Sequence, residues 1–377
     1  MQLSGAGAIR LLARSLFFCL VLGTACLPTR TRADETTGTW TGEVRLYGHY
    51  FLEKSTRVML PEIGGTLVSP DGLRITADYL VDAITSASIA FAGSTEDDLF
   101  TEYRHQPQLT IGKEFRLANS KLDLTALGRY STENDYESMA AGGNAKLSLN
   151  EDNTKIGVSI VGLHDEVRRS NDANFDESLD NWTLNTNVEQ VLNRTTIAIL
   201  GYQVGVLNGF MGNAYRRVQR EGAPVAESPP RSRTRHTVYS KLQTYIPPLH
   251  GAVHLMFRVY RDTWDILALN PEVRFYKEFG DHLLVRLRYR FYTQNAADFI
   301  RDVYPADWDG PLSNDPKLRP IQSHMVGVRI DVDNGFLANS ALDLFSNTAF
   351  YLSVDFNKTT ISFGNEVLGS AGGIWRF

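Results

Sequence analysis

This 377-residue sequence has only two cysteines, Cys19 and Cys26, and both fall near its start. The segment around them reads as an export signal. Arg10 and Arg14 give it a positive lead, and Leu16–Leu22 is apolar but too short to cross a bilayer as a helix. Thr31-Arg32-Ala33 then places small residues at the two positions a signal peptidase reads. Residues 1–33 are therefore expected to be a signal peptide cleaved after Ala33, leaving a mature chain of residues 34–377. Acylation of Cys26 after Gly23-Thr24-Ala25 is the competing reading, although Leu22 stands one position too early for that motif. A chain starting at Asp34 has no thiol, which excludes disulfides, thiolate metal sites and cysteine nucleophiles together. It also suits export through an oxidising compartment, where spare thiols are a liability.

Long hydrophobic runs are missing too. Nothing after the signal approaches the ~18 apolar residues of a membrane-spanning helix. A basic excess is likewise absent. The net charge is −5, and once Arg10, Arg14, Arg30 and Arg32 leave, 34 basic residues face 43 acidic ones. That balance argues against a nucleic-acid partner. The mean hydropathy is mildly polar, as it would be if apolar and polar residues were interleaved.

Interleaving is what the chain shows. From Leu283 to Phe291 every odd residue is apolar or aromatic, while Arg286, Arg288 and Arg290 occupy even positions. A helix would scatter those arginines around its circumference; a strand puts all three on one face. The alternation recurs at Val253–Tyr260, Met325–Val332, Ala349–Phe356 and Trp182–Glu189. Weaker versions lie at Leu122–Tyr130, Ile156–Gly162 and Val238–Ile246.

Connectors come in two lengths. Short turns appear at Asn119-Ser120, Asn150–Thr154, Leu192–Arg194, Pro247–Gly251 and Lys277–His282, and long polar loops at Arg168–Asp180, Asn208–Arg235 and Asn295–Pro320. From Asn119 onward the links take alternate sides, with each long loop opposite the short turns and two short links near Asn134 and Asp262. Short periplasmic turns opposite longer external loops are the layout of an outer-membrane barrel. The terminal Gly373-Ile374-Trp375-Arg376-Phe377 resembles the C-terminal aromatic signal read by the barrel assembly machinery. The fold class expected is all-β: a transmembrane antiparallel up-and-down β-barrel of about 16 strands. Strand ends near Trp40–Leu52, Leu67–Asp82 and Ala83–Ala92 are poorly marked. Closure follows from the solvent, because an open sheet edge in lipid leaves backbone groups unpaired at a cost of several kcal/mol each.

The sharpest chemical candidate is a basic ladder in the lumen: Arg286, Arg288 and Arg290, with Arg258 and Arg274 on neighbouring strands of the same wall. Aligned charges on a low-dielectric wall would draw anions. The alternative is that acids such as Glu272, Asp331 or Asp355 neutralise each arginine, because polar lumens need such networks. A second basic group, Arg216, Arg217, Arg220, Arg231, Arg233 and Arg235, falls in the Asn208–Arg235 loop. It could grip lipopolysaccharide phosphates, fold inward and narrow the pore, or be a solvated loop stiffened by Pro224, Pro229 and Pro230. The third long loop carries Asp298, Asp302, Asp307, Asp309 and Asp315, but their order fits no calcium-loop template. His105, His164, His236 and His324 occur singly, with no nucleophile in a recognisable pattern, so no catalytic signature is present. Trp40, Trp182, Tyr239, Tyr245, Tyr276, Phe279, Phe291 and Trp375 are expected to form aromatic girdles at the membrane interfaces.

One stretch carries a family resemblance. Phe257-Arg258-Val259-Tyr260-Arg261-Asp262-Thr263-Trp264, Arg288–Gln294 and Ala296-Ala297-Asp298-Phe299 together resemble an uncharacterised family of bacterial outer-membrane β-barrels, known only as a domain of unknown function. Tyr79–Ser88 and Tyr215-Arg216-Arg217-Val218 fit as well. Phe257 stands where a tyrosine is usual, and Ile300 where an aromatic is. The motif residues are Tyr260, Asp262, Trp264, Gln294, Ala297, Asp298 and Phe299. The resemblance implies fold and location, with no activity or substrate to carry over.

The sequence thus points to a non-enzymatic barrel in the bacterial outer membrane, both termini periplasmic, in contact with lipid and lipopolysaccharide and needing no cofactor. Passage of small solutes through the lumen, with the arginine ladder biasing charge, is the first expectation. A plugged barrel with a structural or partner-binding role at the cell surface is the second, and a barrel enzyme the last.

Overall fold

The computed structural model describes residues 38–54, 56–87 and 99–377, so the expected signal peptide lies outside the described residues. Nine strands run in chain order before a hairpin-bearing insertion: β1 Thr41–Leu52, β2 Thr56–Val68, β3 Leu73–Ala87, β4 Leu99–Leu117, β5 Ser120–Thr132, β6 Tyr136–Leu149, β7 Thr154–Arg168, β8 Asp176–Asn193 and β9 Thr196–Gly209. A small hairpin follows, β10 Arg217–Arg220 with β11 Ala223–Ala226. Then come β12 Ser232–Ile246, β13 Gly251–Asp262, β14 Leu267–Phe279, β15 Leu283–Gln294, β16 Ile321–Asp333, β17 Thr348–Thr359 and β18 Glu366–Arg376.

All strands except the hairpin join one closed antiparallel barrel of 16, each paired with its neighbours in the chain and β1 closing on β18. The seam runs continuously from Glu43 opposite Arg376 to Leu52 opposite Val367, so no sheet edge is left open. Between β9 and β12 the sheet is equally regular, from Thr196 opposite Thr244 to Asn208 opposite Ser232.

The two faces of this sheet invert the pattern of a soluble protein. Along β17, Phe350, Leu352, Val354 and Phe356 are exposed, whereas Ser353, Asp355 and Asn357, of the opposite parity, are buried. The same holds on β16, where Val326, Val328 and Ile330 face out. In water such an arrangement would waste the hydrophobic effect; in hydrocarbon it is the favourable one. The apolar convex face therefore contacts membrane lipid, and the polar set lines the lumen. Among the described residues no helix is long and apolar enough to cross a membrane.

β1 begins and β18 ends at the same end of the barrel. At this terminal end the links are tight: residues 69–72, 118–119, 150–153, 194–195, 247–250 and 280–282. Gly280, at φ +63°, takes the left-handed turn between β14 and β15 that a Cβ would strain. The long loops, residues 169–175, 210–231 and 295–320, all emerge at the far end. One link breaks the asymmetry expected from sequence. Residues 334–347, between β16 and β17, form a long connection at the terminal end built on two 3-10 turns, with Phe336, Leu342, Leu344 and Phe345 exposed. Short helical turns carry no period-2 signature, so alternation in the sequence does not mark this link. In the poorly marked N-terminal third, β3 runs unbroken through Asp82 and Ala83.

Candidate functional site

The register gathers the ladder on the inner face of β13–β15. Arg274 stands opposite Arg288, Tyr276 opposite Arg286 and Glu272 opposite Arg290, while Arg258 on β13 lies opposite Asn270. Arg329 on β16 adds another guanidinium opposite Arg286, and β12 adds Arg233 and Arg235. Eight arginines share one wall.

Four of them are neutralised. Arg288 meets Asp355 at 3.0 Å, and Arg274 pairs with Glu272, Arg329 with Asp331 and Arg233 with Asp262. Of the three acids expected to neutralise the ladder, Asp355 reaches Arg288 and Glu272 reaches Arg274, whereas Asp331 pairs with Arg329 outside it. Glu272 and Asp331 bind arginines two residues along their own strands, where same-face neighbours lie within side-chain reach. Among the described residues, Arg235, Arg258, Arg286 and Arg290 form no ion pair. The Nε atoms of Arg235, Arg286 and Arg290 are buried without a hydrogen-bond partner. The wall therefore carries uncompensated positive charge.

Above it, the two longest loops fold on one another. Arg220 of the β10–β11 hairpin bridges to Tyr304, and Ser228 to Leu312. Tyr304 is fully buried, its hydroxyl donating to the Ser313 carbonyl at 2.9 Å and accepting from the Ser313 amide at 3.0 Å. Glu227 accepts from Ser313 Oγ and from the Asn213 amide (2.8 Å). It also pairs with Arg216 at 3.2 Å, and Arg216 lies 3.4 Å from Asp315. On its other side this roof is tied to β5–β8, because Tyr215 donates to Asp135 and its hydroxyl accepts from the Ser170 amide at 2.9 Å. Of the six arginines expected in this loop, Arg233 and Arg235 stand on β12 instead, and most are spent within the protein: Arg216 as above, Arg220 on the carbonyls of Ala306 and Trp308, Arg231 on Glu177 and Arg233 on Asp262. Asp302 pairs with Arg319, and among the described residues no group of acids or histidines is arranged to hold a metal ion.

The motif residues build the hinge between roof and wall. Asp262, buried at the end of β13, accepts the amides of Trp264 (2.9 Å) and Ile266 (3.1 Å), together with the Arg233 guanidinium and the Tyr260 hydroxyl. Arg233 stacks 4.0 Å above the Trp264 ring, which meets Phe299 edge-on at 5.3 Å. Ala297 donates to the Leu318 carbonyl and Asp298 to that of Trp264 through their backbone amides. Gln294 clamps the loop's return by donating to the carbonyls of Lys317 and Arg319, each at 2.8 Å. Trp264, Ile266, Ala297, Phe299, Ile300 and Leu318 form a small apolar core here. Asp262 fixes two backbone amides and a cation at once, and a charge-assisted acceptor of that kind is hard to replace.

The sequence matches the family described as "Protein of unknown function (DUF3570)" over residues 19–348. The chain belongs to this family. A search of curated proteins returns no match. Among solved structures the chain is similar to OccAB3 of Acinetobacter baumannii, at 9% identity and a TM-score of 0.45, covering 90% of this chain and 99% of that one. It is also similar to a BenF-like porin from Pseudomonas fluorescens Pf-5, at 9% identity and a TM-score of 0.43, covering 90% and 98%. CdiB from Acinetobacter baumannii gives 10% identity and a TM-score of 0.49, covering 89% of this chain and 60% of that one.

Two features of this family member escaped the sequence. Tyr239 and Tyr276 do not join a girdle: Tyr239 donates to Asn185 at 3.0 Å inside the lumen, and Tyr276 stands beside Arg286 on the inner face. Closeness to a strand end suggested membrane depth, but parity decides the face. On the convex side near the far end, His105, His236 and His324 hydrogen-bond Tyr79, Tyr202 and Tyr289 at 2.7–2.9 Å, and His164 bonds Asp180 at 2.8 Å. These are cross-strand partners that only a known register reveals. At the same end, burial and the neighbouring Glu102 push the Glu133 carboxyl up to about 7.

Proposed function

We propose that the protein is a porin-like channel of the bacterial outer membrane, passing small solutes with a preference for anions. Residues 1–33 would direct export, both termini would face the periplasm and the two-loop roof the cell exterior. Assembly would use the aromatic Phe377 terminus, and lipopolysaccharide would contact the convex rim. One observation carries the reading: Arg235, Arg258, Arg286 and Arg290 line one wall of a 16-strand lumen and, among the described residues, form no ion pair, and a row of uncompensated charge selects by sign. Nothing in this reading calls for a cofactor. A barrel enzyme ranks last, because none of His105, His164, His236 and His324 stands in a His-x-Ser pattern in the sequence.

The test is electrical. In a planar bilayer under a salt gradient, replacing Arg258, Arg286 and Arg290 together with glutamine should move the reversal potential toward cation preference. An unchanged potential would remove the ladder from selectivity. The interlocked roof favours one further reading, a closed surface barrel; it would show as no conductance from folded protein.

A further inference from the structure

Roof and wall flank a half-open cavity of about 490 Å³, a size that suits a small organic ligand. Arg235 and Arg258 line it from the barrel, Met211 and Leu318 from the loops, with the rings of Tyr260 and Tyr292 between them. The acids here are already occupied. Glu227 holds Arg216, Ser313 and the Asn213 amide, and Asp315 holds Arg216 and the Lys317 amide. The cations are not all occupied. Arg233 is bound to Asp262, but among the described residues Arg235 and Arg258 form no ion pair, and Arg258 is exposed to the lumen. One exposed guanidinium, Arg258, and a second, Arg235, held only by the neutral Tyr260 hydroxyl, form a composite surface with the apolar patch beside them. A guanidinium matches a carboxylate through two parallel N–H···O bonds, while Leu318 and Met211 offer cover for a hydrocarbon body.

We propose that this cavity binds small organic carboxylates with a short apolar body, the carboxylate on Arg258 and Arg235 and the body against Leu318 and Met211. The assignment rests on the channel reading, since it places the site on the solute path, and it names the solute class that reading leaves open. A bare inorganic anion would satisfy the arginines but leave the apolar side unused, so it should bind more weakly.

The experiment is calorimetric titration of the full-length protein in nanodiscs with sodium hexanoate. Acetate serves as the body-less control, and 1-hexanol reports partition into lipid. Saturable hexanoate binding is expected, about tenfold or more tighter than acetate because four buried methylenes separate the two. Hexanol should show no saturable component. Arg258→Gln should weaken hexanoate about tenfold, the loss of one charge-assisted contact, while thermal unfolding stays unchanged. Met211→Ser should weaken hexanoate and leave acetate unaffected. Hexanoate binding no tighter than acetate, or indifferent to Arg258→Gln, would overturn the proposal. An anion-selective channel without saturable hexanoate binding sinks the site alone, whereas a non-conducting barrel that binds hexanoate sinks the channel reading alone.

Discussion

Arg288 meets Asp355 at 3.0 Å by reaching across a whole strand, over Gly327 of β16. A Cβ at Gly327 would fall 1.6 Å from Asp355 Oδ1, so the pair exists only because that position has no side chain. Gly327→Ala should break it and strand a largely buried guanidinium, lowering stability by about 2 kcal/mol. Urea unfolding in detergent measures this, and an unchanged midpoint would show that the pair contributes nothing.

Asp262 holds the roof's hinge through Arg233, Trp264 and Ile266. Asp262→Ala should cost about 3 kcal/mol, the scale for removing one partner of a buried ion pair. It should also expose residues 295–320 to proteolysis before the strands. Cleavage at the wild-type rate would mean that the loop core holds without its anchor.

Tyr215 ties the roof to the β5–β8 side through Asp135 and Ser170. Tyr215→Phe keeps the ring and removes the hydroxyl. Single-channel recordings should then show more frequent switching between conductance levels, with the open-state selectivity kept. Identical recordings would assign the latch no role in roof motion.

Glu133 supplies a pH test whose sign is fixed. Burial, Glu102 and Asp135 raise its carboxyl from the ordinary 4.5 to about 7, against the opposing pull of Arg104. The folded state therefore holds this proton more tightly than the unfolded chain. Its contribution to stability is full below about 4.5 and is lost as pH rises through about 7. The unfolding midpoint should fall between pH 5 and pH 8 in the wild type, and this slope should flatten in Glu133→Gln. A slope that survives the substitution would belong to other groups.

Much of the barrel was legible because β15 to β17 alternate strictly, and only a strand explains arginine at every second position. Parity also showed that Arg286, Arg288 and Arg290 share a face. It did not show which acids they meet, because same-strand neighbours Arg274 and Arg329 compete for Glu272 and Asp331. Nor did it place the roof. Ser313 and Glu227 are far apart in sequence, and no local pattern brings two irregular loops together. The resemblance singled out Asp262 and Trp264, but their role as a hinge appears only in three dimensions.

The most direct test of the uncompensated wall is the zero-current potential of the wild-type protein in a planar bilayer between tenfold different KCl concentrations. The account expects discrete channels whose potential carries the sign of chloride preference, weakening as total salt rises and screens the arginines. A potential of potassium sign would contradict it.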